Sequence, residues 1–228
     1  MAKCFELTDE TKVNEFGVTL YRIRCTRSLL SAREPNFVVA GDLGGWVESE
    51  SNLCDEAWVG DEAQVFGNAS VCGSARVYGS AWVYGDAFVD GLAQVYGSAR
   101  VYENACVYGC SKVFGRACVH GQAQVFGSAL VFDDSLVCGV VSLRGYDMLG
   151  SSAAVSNNDQ HCGFGYFGSE NRHTHAYLTK SGGVDVICGC FRGSLDEFAQ
   201  QVHATHAGTM YERQYMTMID MIQLKFGL

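Results

Sequence analysis

The sequence predicts a mainly β fold in which a triangular, parallel β-helix forms the centre of the chain. Three observations support this prediction. Valine recurs every six residues from Val59 to Val137, where Leu143 continues the series. Alanine or serine stands two residues before each valine, and glycine follows most valines by two residues. A fixed short period of this kind is typical of a solenoid, in which each repeat packs on its neighbours.

Each six-residue repeat encodes one short strand and one turn. Residues two apart in a strand face the same side, so alanine and valine point inward and the residue between them points outward. Glycine accepts a positive φ and permits the bend that follows. Three repeats complete a coil of 18 residues, and the 15 repeats from Val59 to Leu143 make five coils.

Residues 1–44 are predicted to cap the β-helix, which occupies residues 45–150. Two predicted strands, at residues 3–7 and 18–25, precede the point where Val47 brings the chain onto the six-residue period. Such a cap is physically required, because the bare end of a solenoid exposes apolar core and unpaired strand edges.

The outward residues form columns, because every eighteenth residue stacks on the same edge. Rings in such columns can stack on one another without any partner, and this explanation accounts for most of them. The outer wall between residues 63 and 132 nevertheless has only three acids and four bases. An uncharged wall favours either an interface between copies of this chain or a surface that binds a partner. The interface residues that we predict are Tyr78, Tyr96, Phe114, Phe132, Trp58, Trp82 and Phe88.

Residues 157–228 are predicted to form a small C-terminal α+β domain. Two strands, at residues 174–179 and 184–190, make a hairpin. A capping box formed by Ser194 and Glu197 then opens the first of two helices.

The hairpin carries the densest polar cluster of the sequence. If its loop has two residues, His175 faces Cys188 and His173 faces Cys190, which suggests a two-His, two-Cys metal site. Short side chains on a flat sheet start about 5 to 7 Å apart and do not easily converge on one ion, so we expect no metal and no cofactor. An anion-binding surface is the alternative, and a solvated hairpin face explains the same residues equally well. The residues concerned are Arg172, His173, Thr174, His175, Lys180 and Arg192.

Composition excludes several partners. The net charge of −9 and the absence of a basic stripe argue against nucleic acid, and no apolar run is long enough to cross a membrane.

The 11 cysteines are odd in number and no apolar signal segment opens the sequence. We therefore expect free thiols in a reducing cytosol. Four of them occupy repeat positions as small apolar side chains: Cys72, Cys106, Cys118 and Cys138.

The six-residue repeat resembles that of the hexapeptide-repeat proteins, which implies left-handed coils. At the level of the whole chain, FELTDETK, GVTLYRIRC, GDLGGWVESESNL, the A-x-V-Y-G repeats and CGCFRGSLDEF leading into ATHAG resemble hexapeptide-repeat proteins of temperate bacteriophages and prophages. This resemblance implies a protein of the host cell cytoplasm during infection or lysogeny. It carries no set of catalytic residues.

We therefore expect a non-catalytic, oligomeric scaffold, with a trimer favoured, that sequesters a host defence protein or a nucleotide immune signal. One alternative is a structural or virion-associated protein. The other is an enzyme like the hexapeptide acyltransferases, for which the coils offer a single histidine, His120, with no carboxylate beside it in sequence.

Overall fold

The computed structural model describes residues 3–29 and 38–228. Strands β1 (Phe5–Val13), β2 (Thr19–Cys25) and β3 (Leu43–Val47) form an antiparallel N-terminal sheet. Strand β3 then pairs in parallel with the solenoid, so the N-terminal sheet continues directly into it. The predicted cap includes residues 1–2 and 30–37, which lie outside the described residues.

The solenoid consists of two-residue strands separated by turns, as the sequence predicts. They are β4 (Trp58–Val59), β5 (Gln64–Val65), β6 (Ser70–Val71), β7 (Arg76–Val77), β8 (Trp82–Val83), β9 (Phe88–Val89), β10 (Gln94–Val95), β11 (Arg100–Val101), β12 (Cys106–Val107), β13 (Lys112–Val113), β14 (Cys118–Val119), β15 (Gln124–Val125), β16 (Leu130–Val131), β17 (Leu136–Val137), β18 (Ser142–Leu143), β19 (Met148–Leu149) and β20 (Ala154–Val155).

Three parallel sheets form the walls of the solenoid. Their strand orders are β3-β5-β8-β11-β14-β17-β20, β4-β7-β10-β13-β16-β19 and β6-β9-β12-β15-β18. Every pairing joins residues 18 apart, such as Val83 with Val101. The mainly β, parallel solenoid is thus confirmed. It is longer than the five coils counted from the valine series, since Val155 lies 108 positions after Val47, which corresponds to six turns of 18 residues.

The alanine and valine residues of the repeat fill the interior. Ala99 and Val101, for example, are both 0% exposed, and the same holds along the axis. The turn glycines have positive φ and stack closely from coil to coil. A Cβ on Gly97 would lie 3.0 Å from the carbonyl oxygen of Gly115 in the next coil, which is tighter than most such contacts. Glycine is therefore favoured here both for its φ of +71° and for the space.

Four acidic residues stand at the glycine position and have positive φ. They are Asp55, Asp61, Glu103 and Asp133. Each carboxylate accepts a hydrogen bond from a backbone N–H of the next coil, as Asp61 does from Gly79 at 2.9 Å. These departures from the repeat are explained by the hydrogen bond, which offsets part of the cost of the left-handed backbone.

The outward aromatic residues form stacked ladders within one chain. Ring centroids lie 4.8 Å apart for Tyr78 and Tyr96, and 4.9 Å apart for Tyr96 and Phe114, with the rings nearly parallel. The stacking expected for this column is therefore present within one chain. Its last ring, Phe132, is only 3% exposed, because Gly150 and the guanidinium of Arg192 cover it.

The three residues predicted to face outward from mid-strand differ in exposure. Trp58 is only 6% exposed, because it packs against Ile23 and Gly44 of the N-terminal sheet, so it cannot take part in an interface. Trp82 contacts Phe16 and the guanidinium of Arg100 and is half-buried. Phe88 alone is exposed, at 38%.

The C-terminal part is a four-stranded antiparallel sheet followed by two helices. Its strands are β21 (His161–Phe167), β22 (Arg172–Leu178), β23 (Val184–Cys188) and β24 (Phe191–Ser194), and its helices are α1 (Leu195–His206) and α2 (Met210–Phe226). The predicted capping box of Ser194 and Glu197 opens α1. One face of the sheet packs on the helices, and the other, through Tyr177 and Ile187, packs on the end of the solenoid.

The expectation of free thiols throughout is wrong for Cys72, which forms a disulfide with Cys54. The two cysteines stand 18 residues apart at the same position of successive coils, and their Cα atoms lie 4.7 Å apart. In-register stacking brings them together, a constraint that the spacing of 18 could have indicated. Among the described residues, no helix combines the length and apolar character that crossing a membrane requires.

Candidate metal centre

A cleft of about 400 Å³ opens where the last coil of the solenoid meets strand β21. Its walls combine basic, acidic, imidazole and thiol side chains with one glycine. The lining residues are Ser142, Arg144, Asp147, Asn158, His161, Cys162 and Gly163.

Asp147 occupies the inward position that alanine holds in most repeats, two residues before the apolar Leu149. It is only 8% exposed. Its Oδ2 accepts a hydrogen bond from the backbone N–H of Arg144 at 2.9 Å, and its Oδ1 lies 3.2 Å from Nδ1 of His175. Burial acts to raise the pKa of Asp147, but the His175 ring, the Arg144 N–H and the nearby His161 outweigh it, so that the pKa is lowered. Asp147 is therefore a buried carboxylate.

His161 and His175 approach Asp147 from the C-terminal sheet. The pairing of β21 with β22 sets His161 opposite Tyr177 and Gly163 opposite His175, so all four residues share the face that meets the solenoid. The rings of His161 and His175 lie 5.2 Å apart, and His173 lies 6.1 Å from His175.

Both imidazoles are buried and lack hydrogen bonds. His161 is 9% exposed and His175 is 0% exposed, yet no ring nitrogen of either residue has a hydrogen-bond partner within the described part of the chain. The contact between His175 and Asp147 is close but is not aligned as a hydrogen bond. Burial, helped by the neighbouring His175, lowers the pKa of His161 to about 4, so this ring is neutral at pH 7.

Gly163 leaves the space between these side chains open. A Cβ at this position would lie 2.8 Å from Oδ1 of Asp147 and 3.1 Å from Nδ1 of His175. The backbone of β21 can therefore approach the cluster only because residue 163 has no side chain. The potential ligand atoms of Asp147, His161 and His175 all lie within 4.8 Å of one another, so these three side chains are a candidate ligand set for a metal ion.

The two-His, two-Cys site suggested by the sequence does not form. The hairpin loop is longer than two residues, and the register is shifted by one, so His175 pairs with Ile187 and Thr174 pairs with Cys188. Thr174 donates a hydrogen bond to Sγ of Cys188 on the helix side of the sheet. The histidines consequently face the solenoid and Cys188 faces the helices.

The six residues of the predicted anion-binding surface do not share one surface either. Arg172 pairs with Glu170 at 3.6 Å, on an exposed part of the sheet. Lys180 donates to the backbone oxygen of Asp134 at 2.6 Å. Arg192 approaches Asp133 at 3.7 Å and covers the ring of Phe132, while Thr174 is buried on the helix side. Only His173 and His175 lie beside Asp147.

Asp147 and His161 were not among the predicted site residues. The six-residue period does contain a signal for Asp147, because it can be extended beyond Leu143 to Leu149 and Val155. This extension puts a carboxylate at an inward alanine position, where it needs a partner. His161 lies just after the end of the solenoid, at the start of β21, and its sequence neighbours do not indicate which face it occupies.

Comparison with known proteins adds no function to this geometry, since neither a family model nor a curated protein matches the chain.

Proposed function

We propose that the chain is a non-catalytic binding protein that holds a small anionic ligand in the cleft between the last coil and the C-terminal sheet. The observation that carries the proposal is the position of Arg144. This residue lines the cleft, is exposed, and takes part in none of the ion pairs among the described residues. An unpaired guanidinium beside a concave polar surface favours phosphate or carboxylate groups.

The charges around the cleft support an anionic ligand in a protein that is acidic overall. Lys225 of α2 lies close enough to affect the titration of His161, and its Nζ is 3.8 Å from Asp159. Asn158 and Ser142 add polar groups to the wall, and the carboxylate of Asp147 is turned toward Arg144 N–H and His175 rather than into open solvent. A cleft of about 400 Å³ has the volume of a small-molecule site.

The resemblance to phage and prophage proteins suggests a biological role for a bound anion. We propose that the ligand is a nucleotide immune signal of the host, which the protein sequesters in the cytoplasm during infection. A nucleotide carries the phosphate groups that Arg144 would recognise. A host defence protein is the alternative partner within the same role.

The test is isothermal titration calorimetry of the full chain against a panel of linear and cyclic nucleotides. We expect one nucleotide class to bind, and we expect Arg144→Gln to weaken that binding by roughly 10- to 100-fold, the effect of losing one charge-assisted hydrogen bond. Arg213→Gln, an exposed arginine on α2, is the matched control and should bind like the wild type. The proposal fails if no nucleotide binds and the protein does not protect phage against any of a broad panel of defence systems.

The acyltransferase alternative is favoured by one contact. His120 Nδ1 lies 3.3 Å from Oε2 of Glu103, which stacks beside it from the preceding coil, although the two are distant in sequence. This pair could orient an imidazole base. Its ring is stacked on Tyr102 at 4.6 Å, as a member of the aromatic ladder. Turnover of acetyl-CoA that disappears in His120→Ala would favour the enzyme. Recovery of the chain from purified particles would favour the virion-associated alternative.

A further inference from the structure

We propose that Asp147, His161 and His175 bind one divalent transition-metal ion, with zinc the best match, and that the fourth coordination position faces the cleft. This proposal replaces the sequence-based expectation of no metal. Two imidazoles and one carboxylate form a ligand set that zinc and other first-row metals accept, whereas magnesium and calcium prefer oxygen ligands alone. Three protein ligands with an open fourth position are typical of sites that also bind a water molecule or a ligand.

The separations among the three ligand atoms fit such an ion if the cluster contracts slightly around it. Tetrahedral ligands at about 2.1 Å from zinc lie about 3.4 Å from one another. The 3.2 Å between Oδ1 of Asp147 and Nδ1 of His175 already matches this separation. The widest separation among the three ligand atoms is under 4.8 Å, so His161 needs to move by roughly 1 Å.

The unpartnered nitrogens are the second, independent observation. A buried polar group without a hydrogen bond is costly, and His161 contributes two such nitrogens at 9% exposure. A metal ion would supply the missing partner for one nitrogen of each ring. The backbone N–H of Arg144, which binds Oδ2 of Asp147 at 2.9 Å, would leave Oδ1 free and fix its direction, as outer contacts do in metal sites.

Gly163 is the residue that keeps the position of the ion open. Because it has no side chain, the β21 backbone lies beside Oδ1 of Asp147 and Nδ1 of His175 without filling the space between them. The chain therefore offers a variant, Gly163→Ala, that retains every ligand atom and obstructs the site.

The test uses untagged, full-length protein freed of metal with a chelator, and the metal alone as the probe, so it does not depend on the proposed nucleotide ligand. We expect Zn²⁺ to bind with a stoichiometry of one by calorimetry. We expect Co²⁺ to give a visible spectrum of nitrogen and oxygen ligation without thiolate charge-transfer absorption. The exposed thiols Cys110 and Cys190 could bind metal adventitiously, and the cobalt spectrum distinguishes that case.

Three variants locate the ion. Asp147→Asn, His161→Gln and Gly163→Ala should each weaken Zn²⁺ binding by at least about 10-fold, since even the loss of an outer partner costs 10- to 100-fold. The control is His203→Gln on α1, an exposed histidine that pairs with Glu212, and its affinity should not change. Circular dichroism confirms that each variant is folded. The proposal is overturned if the wild type binds no metal, if thiol alkylation abolishes binding, or if folded Asp147→Asn and Gly163→Ala bind like the wild type.

Discussion

Oδ1 of Asp147 lies 3.2 Å from Nδ1 of His175, and this contact joins the last coil of the solenoid to the second strand of the C-terminal sheet. The carboxylate stands where alanine fills the interior elsewhere, so its charge must be stabilised by the residues that face it. The stability of the junction therefore depends on a polar contact rather than on apolar packing alone.

Asp147→Asn should lower the free energy of unfolding of the metal-free protein by about 1–2 kcal/mol, because a neutral amide replaces the charged acceptor beside His175 and Arg144 N–H. Urea denaturation in the presence of a chelator measures this difference. Asp220→Asn, an exposed acid on α2, is the control and should leave the stability within about 0.5 kcal/mol of the wild type. Equal stability of wild type and Asp147→Asn would contradict the prediction.

Gly97→Ala should be more destabilising than Gly145→Ala, although both glycines have positive φ. The left-handed backbone alone costs an alanine about 1–2 kcal/mol at either position. A Cβ at Gly97 also meets the carbonyl oxygen of Gly115 at 3.0 Å, whereas a Cβ at Gly145 meets nothing within 4 Å. We expect an additional loss of about 1–3 kcal/mol for Gly97→Ala, measured by thermal or urea unfolding. Equal losses would show that stacking between turns adds no constraint.

Glu103 allows the hydrogen bond of an acidic turn residue to be separated from its backbone strain. Glu103→Ala keeps the φ of +58° and loses the bond to the N–H of Gly121, so we expect it to lose about 1 kcal/mol of stability. Glu103→Gly loses the same bond but relieves the strain, and should be close to the wild type. If the alanine and glycine variants are equally stable, the left-handed backbone at this turn carries no measurable strain.

Tyr177 should make stability depend on pH in the alkaline range. Burial, together with the charge of Asp185, raises the pKa of Tyr177 from its ordinary value of 10 to about 12. Between these values the unfolded chain releases the proton and the folded chain keeps it. The stabilisation is therefore fully present below pH 10 and is lost as the pH rises toward 12, by about 2 kcal/mol. Urea denaturation across this range should show a steeper loss for the wild type than for Tyr177→Phe, in which all other groups still titrate.

Self-association is a prediction from the uncharged outer wall. We expect light scattering to give the mass of three chains of 24.7 kDa, with Phe88 at the interface because it is the exposed ring of the predicted set. Phe88→Glu should then shift the mass toward that of one chain. Val13→Glu, which replaces another exposed apolar side chain, on β1, is the control. A wild-type monomer at micromolar concentration would contradict the prediction and leave the ladders as purely internal features.

The sequence predicts the solenoid well because the six residues of each repeat determine the local structure of that repeat. Alanine, valine and glycine at fixed spacing determine a strand, its inward face and its turn, and Tyr78 and Tyr96 stack simply because they are 18 residues apart. The register of β22 with β23 cannot be predicted from local spacing in this way, because it depends on the length of the loop that joins the two strands. A change of one residue there turned the predicted partner of His175 from Cys188 into Ile187.

The candidate metal centre was harder to predict because its residues come from two units, the solenoid and the C-terminal sheet. One face of the sheet packs against the end of the solenoid. Asp147 belongs to the last coil, whereas His161 and His175 belong to strands of the C-terminal sheet. Their meeting depends on how that sheet docks, through Tyr177 and Ile187, onto the end of the solenoid. No periodicity within either unit encodes this docking.

Because every strand pairing in the solenoid joins residues 18 apart, the solenoid can change in length by whole coils. Each coil pairs only with the coil before and the coil after it, through the same three sheets. Removing or duplicating 18 residues in the middle of the solenoid would thus keep the same pattern of strand pairing across the new junction. The distance between the N-terminal sheet and the C-terminal cleft would change by one coil, about 4.8 Å, while the residues at both ends kept their neighbours. The number of coils therefore sets the distance between the two ends of the solenoid in steps of one coil.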